Sequence, residues 1–194
     1  RQRQMCIRDS YNGLNFMQYK LNNSQSFFSF RNGVSNNVNY NINIGRNSVD
    51  QINFPRQGSN FLLSLKLSPP YSMFDDIDDY STLSDQEKFE WVEYYKWKFK
   101  ATWFSPFTEK LVLATRTEFG FLGAYNQDLG VSPFERFYVG GDGLSGMGYM
   151  NDGRELVALR GYANNSISPQ TGATIYNKYT AEIRYALSLN PTST

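Results

Sequence analysis

Residues 94–104 read YYKWKFKATWF, and their side chains alternate in character along the whole segment. From Tyr95 to Trp103 every odd position is aromatic or alanine, whereas from Lys96 to Thr102 every even position is lysine or threonine. Successive side chains of a β-strand point to opposite faces of the sheet. The segment therefore predicts a strand with one apolar face and one basic face.

The same period of two recurs along most of the chain. Apolar and polar side chains alternate in five further stretches, at residues 11–22, 38–44, 61–67, 111–121 and 179–189. No stretch shows the period of an amphipathic helix of useful length. We therefore predict six strands and no convincing helix.

The connections between these strands alternate in length. Two are short and contain proline, at residues 54–59 and 105–110, and two are long, at residues 68–93 and 123–173. Membrane barrels have short turns at one rim and long loops at the other, and their strands are longer than the roughly 5 to 6 residues usual in soluble proteins. The pattern predicts an all-β chain that forms part of an antiparallel up-and-down transmembrane β-barrel. About six strands of a larger barrel are expected, because an open sheet edge in lipid leaves backbone groups unpaired.

The composition excludes several classes of function. Nineteen basic and eighteen acidic residues give a formal charge of +1, which offers no electrostatic basis for binding nucleic acid. The chain has no histidine and a single cysteine, so the commonest general base and any cysteine-cluster metal site are missing. We expect no enzymatic activity, no cofactor and no metal.

One acidic stretch leaves two alternatives open. Residues 73–87 read MFDDIDDYSTLSDQE, and their acids are the remaining candidates for an outer-membrane enzyme or for a calcium site. The calcium ligands would be Asp75, Asp76, Asp78 and Asp79. A solvated acidic loop is the simpler interpretation.

The first ten residues, RQRQMCIRDS, differ from the rest of the chain. They show no strand pattern and no apolar stretch long enough for a secretory signal. We expect residues 1–10 to be a non-native or artefactual leader, with a genuine flexible arm as the alternative. Residues 11–194 are expected to form one partial barrel domain.

A glycine-rich stretch, GDGLSG at residues 141–146, has the spacing of a dinucleotide-binding loop. Nucleotide binding would require a helix directly after it, and the following residues do not form one. The glycines are better explained by positive φ angles and close backbone approach in a folded loop. Phe134, Phe137 and Tyr138 precede them and predict that this loop is packed rather than solvated.

Two segments of the second long loop carry a resemblance to a known family. PFERFYVGGDGLSG at 133–146 and ALRGY at 158–162 resemble the sixth extracellular loop of the BamA family of outer-membrane protein assembly factors. In that family a Gly-Gly segment leads to an Arg-Gly-aromatic tip that folds back inside the barrel. The matching residues are Gly140, Gly141, Arg160, Gly161 and Tyr162.

The resemblance implies a barrel of about sixteen strands in the outer membrane of a Gram-negative bacterium. It also implies periplasmic POTRA domains and a function that folds and inserts β-barrel clients without catalysis. The implied partners are unfolded outer-membrane protein clients, accessory assembly lipoproteins and outer-membrane lipid. A two-partner secretion translocator, which shares the Arg-Gly-aromatic loop, and a passive outer-membrane channel remain the alternatives.

Two geometric expectations follow for the side chains. The polar residues of three strands should point to the aqueous interior: Lys96, Lys98, Lys100, Arg116, Glu118, Glu182 and Arg184. The apolar residues of the same strands should point to lipid: Trp97, Phe99, Leu113, Phe119, Ile183 and Tyr185. The resemblance further implies that Glu182 binds the loop arginine, Arg160, through a planar charged pair.

Overall fold

The computed structural model describes residues 6–23, 29–75, 77, 80–143 and 153–187. Within them the chain forms eight strands and one short α-helix. The elements are β1 (Ile7–Leu21), β2 (Gly33–Asn47), β3 (Gly58–Leu67), α1 (Asp85–Lys88), β4 (Tyr95–Pro106), β5 (Leu111–Gly123), β6 (Phe137–Val139), β7 (Glu155–Val157) and β8 (Ile175–Tyr185).

Six of the strands form one antiparallel sheet in the order β1-β2-β3-β4-β5-β8. Each strand pairs with the next long strand along the chain, so the sheet is an up-and-down meander. This confirms the predicted all-β architecture of six antiparallel strands. Among the described residues, no helix is long and apolar enough to cross a membrane.

The first strand begins earlier than the sequence predicted. Ile7 lies opposite Asn47 and Ser10 lies opposite Ile44, so four residues of the expected leader are paired with β2. These residues were not predicted as a strand because Arg8, Asp9 and Ser10 are polar at adjacent positions and do not alternate. They form a strand because they pair with β2. Residues 1–5 lie outside the described part of the chain.

Three short elements were also missed. Helix α1 is a single turn closed by a capping box, in which Ser84 and Glu87 satisfy each other's backbone N–H groups. Strands β6 and β7 have three residues each and pair with each other in parallel inside the second long connection.

The two faces of the sheet differ in what covers them. On one face, here called the loop face, the connection between β5 and β8 packs against the strands. The other, here called the open face, carries aromatic pairs such as Trp97–Phe119 and Phe61–Trp103, with ring centroids 4.8 and 5.2 Å apart. Ile183 on this face is 75% exposed.

The predicted division of side chains between the two sides of the sheet is confirmed. Register and contacts place on the loop face Lys96, Lys98, Lys100, Arg116, Glu118, Glu182 and Arg184. They place on the open face Trp97, Phe99, Leu113, Phe119, Ile183 and Tyr185.

The hydrophobic core lies between the loop face and the loop that covers it. Tyr94, directly before β4, and Leu122 of β5 contact Phe134, Phe137 and Val157 from the loop in one buried cluster. The core is therefore formed by sheet against loop, and the loop is part of the folded structure, as its aromatic content predicted.

Candidate functional site

The loop is fastened to the sheet through lysines that lie side by side. Lys66 on β3 and Lys96 on β4 are direct neighbours in register, and such like charges repel. Glu135 of the loop lies between them. Its carboxylate accepts from the Lys66 ammonium at 3.1 and 3.2 Å and from the Lys96 ammonium at 2.8 Å. The loop thus supplies the negative charge that the sheet lacks at this point.

A second glutamate of the loop continues the same row. Glu155, at the start of β7, forms ion pairs with both Lys96 and Lys98, the latter at 2.7 Å. Because Phe137 of β6 lies opposite Glu155, the short parallel pair fixes where this carboxylate reaches the sheet. Lys96 is shared by Glu135 and Glu155, and its side chain is only 1% exposed.

Lys96 is also bound to the loop backbone. Its ammonium donates to the carbonyl oxygen of Glu135 at 2.7 Å and lies 4.7 Å from the centroid of the Phe137 ring. On the last strand, the Lys178 ammonium donates to the carbonyl oxygen of Ala158 at 2.9 Å. Basic side chains from three strands, β3, β4 and β8, therefore hold the loop.

Glu135 shows two signs of an imposed geometry. Its backbone has φ 65°, a left-handed conformation that is costly for a residue with a side chain. Burial opposes ionisation of its carboxyl, but the Lys96 and Lys66 charges outweigh burial and lower the pKa from 4.5 to about 2. Glu135 is thus held in its ionised form by the two lysines.

Aromatic packing completes the attachment of the loop. The Phe134 ring stacks on Tyr19 of β1 with centroids 4.6 Å apart, and Phe137 meets Tyr176 edge-to-face at 4.7 Å. Gly120 on β5 makes the second contact possible, because a Cβ there would lie 2.8 Å from the Phe137 ring. The loop therefore contacts the sheet from its first strand to its last.

The two halves of the loop motif lie side by side. The Gly141 N–H donates to the carbonyl oxygen of Tyr162 at 3.1 Å, and the Leu159 N–H donates to the carbonyl oxygen of Gly141 at 2.9 Å. Gly140 has φ 133° and Gly141 has φ 81°, conformations that favour glycine. A Cβ on Gly141 would overlap the Asn164 side chain. The glycines are thus explained by close approach to the Arg160–Gly161–Tyr162 turn and to the residues directly after it.

The structure does not bring Arg160 and Glu182 into an ion pair. Glu182 instead accepts from Arg184, with Nη2 at 2.7 Å and Nε at 3.1 Å. Arg184 lies two residues further along the same strand face, so it reaches the carboxylate at little entropic cost. Arg160 is exposed in the turn and acts on Glu182 only as a more distant charge. In the described part of the chain, the expected pairing is replaced by a local one.

Sequence reasoning missed the residues that anchor the loop. Glu135 and Glu155 lie beside apolar residues in short segments with no strand pattern of their own, so nothing local marks them. The available signal was the row of lysines on β3 and β4, which needed acidic partners from elsewhere in the chain.

The predicted acidic stretch and the glycine-rich stretch at residues 141–146 lie only partly within the described residues. Asp76, Asp78, Asp79 and Gly146 lie outside the described residues. Within the residues that the structure does describe, no group of three or more potential ligands is arranged to hold a metal ion.

Comparison with protein families identifies a superfamily that matches almost the whole chain. The family model described as the Omp85 superfamily domain matches residues 5–194. A comparison with curated proteins finds no match.

Proposed function

The chain belongs to the Omp85 superfamily, and on this premise we propose that it forms part of the outer-membrane β-barrel of a BamA-type assembly factor. In this proposal the parent protein folds β-barrel clients and inserts them into the outer membrane of a Gram-negative bacterium. It does so without catalysis or a cofactor. Its partners are unfolded client proteins, accessory assembly lipoproteins and the surrounding lipid.

The open face supports a position in a membrane. Large apolar side chains on it are mostly exposed, including Leu14 and Phe16 on β1 and Tyr179 and Ile183 on β8. The strands of the sheet have 10 to 15 residues, enough for tilted spans of a bilayer. Lipid hydrocarbon is an environment in which such a face is stable. The loop face is then the interior of the barrel.

The single observation that carries the proposal is the buried attachment of the loop. Lys96, Glu135 and Glu155 form a continuous set of ion pairs with little exposure to solvent. A passive channel needs an open interior, whereas here the loop covers the part of the loop face around Lys66, Lys96 and Lys98 with aromatic packing and paired charges. A fixed internal loop fits a protein whose barrel has a structural rather than a conducting role.

The alternative within the superfamily is a two-partner secretion translocator. Such a protein shares the Arg-Gly-aromatic loop, and the described contacts do not separate the two functions. The difference lies in the substrate: an assembly factor acts on many barrel proteins, whereas a translocator exports one secreted partner.

The test is depletion of the full-length protein in its own bacterium. The expected result is loss of several unrelated outer-membrane barrels, measured by their heat-modifiable mobility in gels. Normal levels of those barrels with loss of one secreted protein would instead identify a translocator. Normal levels of both would contradict the proposal.

A pair of variants connects this test to the site. Complementation with Glu135→Gln should give fewer assembled barrels than complementation with Glu109→Gln. Glu109 is a suitable control because it is exposed in the tight turn between β4 and β5. Equal complementation by both variants would show that the loop attachment is not needed for the function.

A further inference from the structure

The connection between β3 and β4 begins with a turn that packs against the residues just before β4. After Pro69 and Pro70 the chain forms a 3-10 turn at Tyr71–Met73. The Tyr71 ring lies 5.2 Å from the ring of Trp91. Trp91 forms an isolated bridge with Asn36 of β2, and Asn36 has the same strand parity as Tyr40, which register places on the open face with Tyr95. The turn therefore extends the open face beyond the ends of the strands.

This turn is held in a fixed position by a buried acid. The Glu93 carboxylate accepts from the Ser72 N–H at 2.8 Å and from the Ser72 hydroxyl at 2.9 Å. Glu93 is 1% exposed, so these hydrogen bonds form away from solvent, where they stabilise the turn most. The position of the turn is thus determined by the fold.

The fixed turn displays apolar side chains instead of hiding them. Met73 is 74% exposed and Phe74 is 78% exposed, and Trp91 beside them is 44% exposed. The same connection buries Tyr80 and Phe89 in a cluster with Leu129. A hydrophobic cluster is therefore available in this region, and Met73 and Phe74 lie outside it.

We propose that the segment Tyr71–Phe74, together with Trp91, is a lipid-contacting element that lies in the headgroup region of the membrane. This inference rests on the proposed function, because it takes the open face as the lipid-facing one. The segment then adds a row of contacts at the rim, above the membrane-spanning strands.

The chemistry of the segment favours lipid at interfacial depth. Tyrosine and tryptophan concentrate at membrane–water interfaces, where the ring is apolar and the polar group remains hydrated. Tyr71 and Trp91 form such a pair, and a second, Tyr95–Tyr125, lies nearby with centroids 5.4 Å apart. Asp75 follows Phe74 directly and is exposed, so the segment cannot continue into the hydrocarbon. Continuity with the open face makes lipid, rather than a protein partner, the occupant.

The experiment places a fluorescent probe on the segment. The full-length protein, with Cys6 and any other native cysteine replaced by serine, carries a single cysteine at Phe74→Cys labelled with an environment-sensitive dye. It is reconstituted in vesicles of phosphatidylethanolamine and phosphatidylglycerol with or without brominated acyl chains. Phe99→Cys, on the open face of β4, reports the membrane-spanning surface, and Gln127→Cys, exposed in the other long connection, reports a water-facing loop.

The expected result at position 74 is blue-shifted emission, quenching by brominated lipid and protection from aqueous iodide. Position 99 should be quenched by brominated lipid more strongly, and position 127 should be quenched by iodide alone. Iodide quenching at position 74 with lipid quenching at position 99 would overturn the inference and leave the proposed function standing. The same combination of iodide quenching at position 74 and lipid quenching at position 99 is expected if the segment is a docking site for a protein. Absence of lipid quenching at position 99 would overturn both.

Discussion

Replacing Glu135 with glutamine should weaken the docking of the loop on the sheet while the sheet stays folded. The substitution keeps the size of the side chain and removes its charge. Lys66 would lose the carboxylate that it binds, and Lys96 would keep one carboxylate, that of Glu155, instead of two. Because Lys96 is 1% exposed, water cannot replace the lost partner.

The magnitude follows from the electrostatics of the site. The pKa of Glu135 is lowered from 4.5 to about 2, which corresponds to about 3 kcal/mol of interaction favouring the ionised form. Loss of one partner of a buried ion pair costs about 3 to 5 kcal/mol, which agrees. About 3 kcal/mol is roughly a hundredfold change in the equilibrium between docked and released loop.

Hydrogen exchange measures this equilibrium directly. The N–H groups of Phe137 and Ala173 donate to each other's carbonyl oxygens, and the Gly140 N–H donates to Val157. These hydrogen bonds lie within the loop, and the three-residue strands β6 and β7 are too short to persist without packing on the sheet, so protection of these amides should fall by about a hundredfold in Glu135→Gln. Amides of β4 and β5 should keep their protection.

Two comparisons make this prediction refutable. Glu109→Gln, in an exposed turn, should leave all protection unchanged. Lys100→Gln should change loop protection by less than about tenfold, because Lys100 is 53% exposed and lies 3.6 Å from Glu118, an acid of the sheet itself. If Glu135→Gln preserves the protection of Phe137 and Ala173 within about twofold, the buried pairs do not hold the loop.

Three further predictions use the same readout. After correction for the intrinsic pH dependence of exchange, protection of the loop amides should be constant above about pH 4.5 and should fall as the pH is lowered towards 2. The reason is that the stabilisation from the lowered pKa of Glu135 is lost as its carboxyl becomes protonated. A flat profile would contradict the assigned ionisation of Glu135. Gly141→Ala should destabilise the loop by about 1 to 3 kcal/mol more than Gly161→Ala, because both glycines have positive φ but only an alanine at position 141 would place its Cβ against Asn164. Equal effects would exclude close approach as the reason for glycine at position 141. Arg160→Gln should leave loop protection unchanged, since Arg160 is exposed and Glu182 binds Arg184. A large loss of protection would instead support the ion pair between Arg160 and Glu182 that the sequence suggested.

The sheet was predictable because its information is local. Alternation between Lys96 and Trp97 assigns each side chain to a face without knowledge of any partner strand. The same reasoning fails where neighbours in space impose the conformation. Arg8, Asp9 and Ser10 are a strand only because β2 lies beside them, and β6 and β7 are too short to carry a period.

The site was less predictable because its contacts are far apart in the sequence. Glu135 meets Lys96 across 39 residues, and no local pattern marks that encounter. Glu182 failed for a different reason. Strand parity predicted its face correctly, but Arg184, two residues along on the same face, binds it in place of the expected Arg160. Local competition of this kind cannot be judged from a motif alone.

The shared lysine row has a consequence for ion permeation. With the loop docked, Glu135 and Glu155 neutralise most of the charge of Lys66, Lys96 and Lys98, while Glu118 on the sheet lies against Lys100 and Lys178. Departure of the loop would remove both of its carboxylates and leave a strip of unpaired ammonium groups on the loop face, along Lys66, Lys96 and Lys98. In the proposed barrel this strip would favour anions over cations along that part of the interior, so the reversal potential across a planar bilayer would report where the loop is.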